Sequence, residues 1–285
     1  MEKITASIVV YKNDPGFLNR AINSFLSGTL TGPMTIIDNS PTDELRAVCS
    51  RKGVTYIFNN RNLGYGKGHN LALRDDIHRS CYHLVLNPDV CFEADVVEKL
   101  FHFMEGQRQA GLVMPKVIGP DGSLQMLCKL LPSPVDLATR RFFPFDAWFK
   151  NRNERYELKD TGYDRVMNVP FLSGCFMFLR SSSLREIGIF DERFFLYAED
   201  TDLSRRMHRK FETLFYPDAQ ITHVHARGSY KDFRLTFHNV KSAFQYFSKW
   251  GWFFDDERAE INQRALAQAQ TTRAPEVAIR EVKAA

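Results

Sequence analysis

The stretch Leu84-Val85-Leu86-Asn87-Pro88-Asp89-Val90 decides how this chain is read. Three apolar residues run straight into Asn87, Pro88 and Asp89. An apolar run that stops at a proline reads as a buried strand that ends there. Strands of a parallel sheet are covered on both faces and so are apolar throughout. Ligands of open α/β sheets sit in the crevice beyond the carboxyl ends of the strands. Asp89 is then a carboxylate at a binding edge. The competing reading is a plain turn, because Asn, Pro and Asp favour turns for local reasons.

Working outward from that stretch moves the balance. Residues 4–11 read as a first strand rich in Ile and Val, and Phe17, Leu18, Ala21, Ile22, Phe25 and Leu26 recur behind it at helical spacing. Residues 34–37 predict a second strand, Leu45 and Val48 a short helix, and 54–58 a third strand. Residues 66–77 predict a helix and 83–86 the fourth strand. Alternating strands and helices argue for a mostly parallel sheet flanked by helices. Asp38, Asn59 and Asn87 each follow a strand within a residue or two. Right-handed crossovers would put all three on one edge of the sheet, and isolated turns do not explain that coincidence.

Further on, 93–106 reads as a helix, 112–117 as a strand and 119–122 as a turn. From 131 to 164 the periodicity is lost, which predicts an irregular insertion or a flap that meets an acceptor. Residues 169–180 read as a buried strand, with Gly174 in its middle marking a close approach by ligand or backbone. Residues 184–187 and 201–210 read as helices, and 213–216 and 220–222 as short strands around Pro217-Asp218. Residues 233–252 read as a helix with Phe237, Val240, Phe244 and Phe247 on one stripe, which core packing explains. From Glu257 on, few large apolar residues remain, so a terminal helix or a frayed tail is expected.

A chain of 285 residues can bury the core of one large α/β domain. Its 44% apolar and 25% charged content is that of a water-soluble globular protein. A net charge of +4 without a concentrated basic face does not announce a nucleic-acid binder. Five scattered cysteines without a C-x-x-C pair suggest neither a zinc site nor a disulfide framework, and fit a reducing cytoplasm. The first residues do not read as a signal peptide, and no window approaches the roughly 18 apolar residues of a spanning helix.

Two constellations carry chemistry. Residues 62–70, Asn-Leu-Gly-Tyr-Gly-Lys-Gly-His-Asn, form a glycine-rich entry to a helix that could offer N–H groups to a phosphate. They match neither the dinucleotide fingerprint nor the P-loop, so a structural glycine turn competes strongly. The run Glu199-Asp200-x-Asp202 follows an aromatic stretch. Carboxylates of this kind can take a divalent cation or a proton, although acids also suit a helix N-terminus. His223 and His225 alternate along a strand, so at most one faces a site.

With these residues in place, the chain resembles the inverting nucleotide-sugar glycosyltransferases of family 2, which have the GT-A fold. It is most similar to their bacterial rhamnosyltransferase-like branch, which builds surface polysaccharide of the O-antigen type. The resemblance covers roughly residues 4–230. It rests on Ile8-Val9-Val10-Tyr11, Asp38-Asn39-Ser40, Asn62-x-Gly64-x-Gly66-x-Gly68-x-Asn70 and Leu86-Asn87-Pro88-Asp89. Ser173-Gly174-x-Phe176-Met177, Phe190-Asp191-Glu192-x-Phe194-Phe195, Glu199-Asp200-x-Asp202-Leu203 and a late His complete it.

The resemblance implies a GT-A domain over 1–230 and a C-terminal helical extension over 231–285. It implies that Asp200, or its neighbour Glu199, is the base for the acceptor hydroxyl. It implies a donor-nucleotide site from Tyr11, Asp38, Asn62, Gly64, Lys67, Asn70 and Asn87, with Asp38 on the base. Gly174, Asp202 and Arg205 would meet the sugar or the acceptor. Asp89, with His223 rather than His225, would hold Mg²⁺ or Mn²⁺ on the diphosphate. One departure stands out: the Asp-x-Asp general to GT-A enzymes is Asn87-Pro88-Asp89 here, one anionic ligand fewer. The same form occurs in the rhamnosyltransferase-like branch.

The activity so implied is transfer of a sugar, best matched by L-rhamnose from dTDP-rhamnose, to a saccharide or lipid-linked acceptor. A nucleotidyltransferase is the rival enzyme, with Lys67 as its lone candidate for a triphosphate loop. A non-catalytic nucleotide-sugar-binding protein is the rival outside catalysis. A cytoplasmic protein, peripheral on the inner face of the membrane, fits such acceptors. The six cations of 140–159 (Arg140, Arg141, Lys150, Arg152, Arg155, Lys159), among Phe142, Phe143, Phe145, Trp148 and Phe149, are the expected contact.

Overall fold

A computed structural model of the chain describes residues 2–142, 149–224 and 233–271. The first elements alternate as expected: β1 (Glu2–Val10), α1 (Pro15–Leu26), β2 (Thr31–Asp38), α2 (Arg46–Cys49), β3 (Val54–Phe58), α3 (Tyr65–Arg79) and β4 (Ser80–Leu86). The chain continues through β5 (Val90–Cys91), α4 (Asp95–Gly106), β6 (Ala110–Ile118), β7 (Cys128–Lys129), α5 (Pro134–Phe142) and α6 (Lys150–Tyr156). It ends with β8 (Met167–Asn168), β9 (Phe171–Leu172), β10 (Phe176–Arg180), α7 (Ser181–Ile187), α8 (Glu199–His208), β11 (Glu212–His223), α9 (Phe233–Trp250) and α10 (Asp256–Thr271).

Local chemistry explains the starts. Asp14 caps α1 by accepting from the N–H groups of Gly16 and Phe17, with Pro15 at the first helical position. From Ile4 to Val10 every residue of β1 is buried, as a strand covered on both faces must be.

Among the described residues the main sheet has the order β3-β2-β1-β4-β10-β6-β11-β5, with β8 beside β11. The pairs among β3, β2, β1 and β4 are parallel. The carboxyl ends of β2, β3 and β4 therefore share one edge, which carries Asp38, Asn59 and Asn87. β10 enters antiparallel between β4 and β6, with Phe176 opposite Leu86. The start of β10 thus lies beside the end of β4. β11 runs parallel to β6, and its last residues pair antiparallel with β5, His223 opposite Val90.

Four expectations need correction. The segment 169–180 is not one strand. It breaks at Ser173-Gly174-Cys175 into β9, paired with β7, and β10. The two strands at 213–216 and 220–222 are one, with a register shift between Tyr216 and Gln220 that absorbs Pro217-Asp218. Among its described residues the insertion 131–164 carries two helices, α5 and α6. Ser133 and Asp136 cap α5 reciprocally: Ser133 N–H and Oγ–H donate to Asp136 Oδ2, and Asp136 N–H donates back to Ser133 Oγ. Three of its cations are already paired, Arg140 with Glu157 at 2.7 Å, Arg152 with Asp136 at 2.6 Å and Lys159 with Glu154 at 2.9 Å. The side chains from Arg141 to Trp148 lie outside the described part.

The fourth correction concerns α9. It buries Ser242, Tyr246 and Phe247, the two rings packing on Phe194, and turns Phe237, Val240 and Phe244 to solvent. Past it, residues 256–271 form a true helix, with Ile261 and Ala265 buried. The C-terminal helices are bonded to α8. Arg205 is buried on α8 and grips Asp255 with both terminal nitrogens, at 2.8 and 2.7 Å, and Glu257 at 2.7 Å. The Trp250 ring lies 4.2 Å from the Arg205 guanidinium carbon. No helix among the described residues is long and apolar enough to cross a membrane.

Removing one partner of a buried ion pair strands the other charge, which costs about 3–5 kcal/mol. Asp255→Ala is expected to destabilise the protein by an amount near the low end, since Glu257 remains. Arg209, half-exposed against Glu257 at 2.6 Å, should cost under about 1 kcal/mol when changed to Ala. Urea unfolding of the two variants checks the ratio.

Candidate active site

A cleft of about 500 Å³ opens at the carboxyl edge of the sheet, walled by Tyr11 and Asn39 on one side and Asn87-Pro88-Asp89 on the other. The glycine-rich entry of α3 forms its floor. Gly64 sits at φ +86°, and a Cβ there would lie 2.2 Å from the carbonyl oxygen of Phe195. Only glycine fits, because that oxygen accepts the Tyr65 N–H at 2.9 Å. The loop is thus a packing device between α3 and the segment before α8.

The Tyr65 hydroxyl joins the two halves of the site. It lies 2.6 Å from the carbonyl oxygen of Gly174 and 3.1 Å from Asn87 Oδ1. Asn87 N–H donates to the carbonyl of Cys175 at 2.9 Å. Gly174 N–H in turn donates to Asp200 Oδ2 at 3.0 Å. One short path therefore runs from the Asn87-Pro88-Asp89 loop through Tyr65 and Gly174 to Asp200. A Cβ at Gly174 would stand 3.1 Å from Asp200 Cβ. The close approach read from the sequence is by this side chain.

Glu199 and Asp200 open α8 after two non-glycine residues in the left-handed region, Tyr197 at φ 69° and Ala198 at φ 66°. Such backbone costs on the order of 1–3 kcal/mol each and clusters at functional sites. The two acids then meet different surroundings. Glu199 is buried, with one carboxyl oxygen lacking a hydrogen-bond partner among the described residues. Burial first, and the neighbouring Asp200 second, push its carboxyl well above the ordinary range, so the protonated form is favoured. Asp200 is half-buried and also accepts from Thr201 N–H at 2.8 Å. Burial, with Glu199 as the next cause, likewise raises the Tyr65 phenol and keeps it a donor.

At the far wall, His223 Nε2 lies 3.4 Å from Asp89 Oδ1. Pairing of β5 with β11 puts them together, and Val224 N–H donates to the Asp89 carbonyl at 3.0 Å. Gln125 fixes the tautomer. Its amide nitrogen donates to the His223 carbonyl at 2.7 Å, so its oxygen, 3.0 Å from Nδ1, accepts the ring proton. Nε2 then turns a lone pair toward Asp89 Oδ1, which is buried without a hydrogen-bond partner among the described residues. Two acceptors at that distance suit a cation between them. Asp89 and His223 therefore fit a divalent ion as two of its ligands, with diphosphate oxygens as natural further ones. Among the described residues no group of three or more His, Cys, Asp or Glu could hold a metal. His225 lies outside the described part.

Of the expected donor residues, Tyr11, Asn62, Gly64 and Asn87 reach the cleft. The others are engaged elsewhere. Asp38 is fully buried at the end of β2, accepting from Ser40 N–H at 2.8 Å and the Tyr56 hydroxyl at 2.6 Å, and Asn39 takes its place on the wall. Lys67 pairs with Glu192 at 3.3 Å. Buried Asn70 clasps the backbone of Phe190 through both ends of its amide. Asp202 and Arg205, expected near sugar or acceptor, point into the C-terminal helices. Asp202 takes Arg206 at 2.8 Å, Trp250 Nε1 at 2.8 Å and Lys249 at 2.6 Å. Periodicity places residues on a helix but does not say which polar one faces a cleft.

Tyr65, Asn39, Gln125 and His238 were not read from the sequence. Tyr65 was within reach, since it stands inside the glycine motif. His238 lines the cleft from α9 and stacks on Phe195 at 4.4 Å.

Comparison with known proteins gives this geometry its class. The model of glycosyl transferase family 2 matches residues 7–188, and the chain belongs to that family. An N-acetylglucosaminyl-diphospho-decaprenol L-rhamnosyltransferase of Mycobacterium tuberculosis is 28% identical over 250 residues, 79% of this chain and 78% of that protein. The rhamnosyltransferase WbbL of Escherichia coli is 22% identical over 254 residues, 85% of this chain and 92% of that one. A crystal structure of GalNAc-T7 with UDP, GalNAc and Mn²⁺ matches at a TM-score of 0.62 and 13% identity. It covers 90% of this chain, which spans 50% of that one. The fold is GT-A, a mostly parallel sheet flanked by helices. Membership of this family displaces the nucleotidyltransferase alternative.

A 1 Å misplacement in an active site can cost on the order of 10²-fold in rate. Gly174→Ala should therefore cut turnover about tenfold to a hundredfold with the fold intact by circular dichroism. Tyr65→Phe, which deletes the hydroxyl bridge alone, should lower turnover more than it changes donor affinity. Released nucleoside diphosphate and donor titration measure both.

Proposed function

We propose that the protein is an inverting glycosyltransferase that moves L-rhamnose from dTDP-rhamnose to a saccharide or lipid-linked saccharide acceptor in cell-surface polysaccharide synthesis. One observation carries the catalytic part. The half-open Asp200 is tied through Gly174 and Tyr65 to the Asn87-Pro88-Asp89 loop, so base and leaving-group site are held in one frame. The sugar and the surface-glycan setting are supported by the two rhamnosyltransferase relatives, one of them named for a diphospho-decaprenol acceptor.

In this reading residues 1–230 form the catalytic unit and 231–285 its helical extension. Tyr11, Asn39, Asn62 and Asn87 bind the donor nucleotide. Asp38 supports that wall from beneath. Asp200 takes the proton from the acceptor hydroxyl, whose oxygen attacks the anomeric carbon from the face opposite the diphosphate, inverting it. Asp89 and His223 hold Mg²⁺ or Mn²⁺, which when bound neutralises the leaving diphosphate. Burial favours the protonated form of Glu199, so the role of base falls to Asp200. The protein acts in the cytoplasm at the inner face of the membrane, where such acceptors lie.

The donor is tested by scoring nucleoside diphosphate release from dTDP-rhamnose, UDP-galactose, UDP-glucose and GDP-mannose side by side. Release from dTDP-rhamnose should lead, and preference for another donor would overturn the rhamnosyl assignment. Chelator should abolish turnover, and added Mg²⁺ or Mn²⁺ should restore it.

The two acids separate by substitution. Asp200→Asn should lower turnover by on the order of 10²-fold or more, as for loss of a general base. Glu199→Gln, which mimics the protonated acid, should keep it within a few-fold. The pH dependence follows from sign. The folded value of Glu199 lies above its ordinary 4.5, so its stabilising contribution is full in acid and is lost as pH rises. Glu199→Gln should therefore gain thermal stability over wild type as pH rises above about 4.5. A wild-type advantage at pH 8 would refute the protonated assignment.

A further inference from the structure

The stripe on α9 that periodicity assigned to the core is left outside it among the described residues. Phe237, Val240 and Phe244 are exposed on the helix, and Trp252, Phe253 and Phe254 continue the surface past its end. Phe254 is 95% exposed and Phe253 72%. Trp252 joins the helix to the residues after it: the Phe244 and Trp252 rings lie 5.1 Å apart, and Trp252 rests on buried Phe247 at 5.3 Å. Contiguous exposed apolar area of this kind marks an interaction site.

Charge selects the partner. α9 contains no Asp or Glu; its Lys249 is held by Asp191 and Asp202, and Lys241 is the cation its described side chains leave on the surface. Lys241 is exposed, one turn beyond Phe237 and one before Phe244, on the same face. Asp255, next to Phe254, is turned inward onto Arg205. Asp256, exposed beside it, belongs to the first turn of α10. Aromatic side chains around an exposed lysine suit an anionic headgroup layer. Shape agrees. Phe253 and Phe254 stand out as knobs, which a fluid accepts without a matching groove. A two-fold contact between copies centred at Lys241 would set that lysine against its own copy.

The same helix carries Leu235 and His238 in the wall of the cleft. We infer that α9 and residues 252–254 dock the protein on an anionic lipid surface, setting the cleft mouth at the headgroup layer. This deepens the proposed lipid-linked acceptor and rests on it for purpose, not for binding. It also moves the contact away from 140–159, where ion pairs within the fold already take Arg140, Arg152 and Lys159.

The test is co-sedimentation of the full chain with phosphatidylglycerol–phosphatidylcholine vesicles and with phosphatidylcholine alone. Wild type should pellet with the anionic vesicles and release at high salt. Phe253→Ser/Phe254→Ser should lower partitioning at least tenfold. Lys241→Ser should lower it about fivefold, the equivalent of about 1 kcal/mol for one lysine at an anionic surface. Both variants should keep the wild-type melting temperature and turnover on a water-soluble acceptor. Wild type left in the supernatant, or variants that pellet equally, would overturn the inference. So would a wild-type dimer in sedimentation velocity that the double variant dissociates, which would assign the face to a second copy. The vesicles contain neither donor nor acceptor, so failure here leaves the transferase reading standing, and a failed donor screen leaves this one.

Discussion

The antiparallel entry of β10 between β4 and β6 is the constraint on which the site depends. Pairing of Phe176 with Leu86 brings the start of one strand to the end of another. Ser173-Gly174-Cys175 must then lie against Asn87-Pro88-Asp89. Backbone bonds set this neighbourhood before any catalytic side chain is considered. The Asn87 N–H bond to Cys175 and the Tyr65 hydroxyl across the seam are its consequences. So is the placing of Asp200, which takes its N–H from Gly174. A parallel strand in that position would have carried Gly174 to the opposite edge of the sheet.

The helix bearing Asp200 is held from behind. Arg205 and Asp202 are buried on it, Arg205 bonded to Asp255 and Glu257 and Asp202 to Trp250 and Lys249. These contacts tie α8 to the C-terminal helices, so those helices brace the element that presents Asp200. The two consecutive left-handed residues at Tyr197 and Ala198 need such bracing, because nothing in their own side chains favours that backbone. Burial then divides the labour between adjacent acids. Buried Glu199 favours its proton, while Asp200, one residue on, is half-buried and accepts from Gly174 N–H and Thr201 N–H.

The amino-acid sequence by itself determined the alternation of the first half, the shared edge of Asp38, Asn59 and Asn87, and the order of motifs that marks a family 2 glycosyltransferase. These rest on local signals: apolar runs, prolines at strand ends and periodicity. It also marked Gly174 as a point of close approach, without naming what approaches. Only the tertiary structure decided which polar residues face the cleft. Asn70 shares a motif with Asn62, and Asp202 shares one with Asp200, yet Asn70 and Asp202 are buried and bonded within the protein. It alone showed the Tyr65 bridge and the lone pair of His223, because both depend on partners 98 or more residues away in one case and across three segments in the other. The stripe on α9 is the clearest instance. Helical spacing shows that Phe237, Val240 and Phe244 share a face, but whether a face meets core or solvent is settled by what the rest of the chain packs against it.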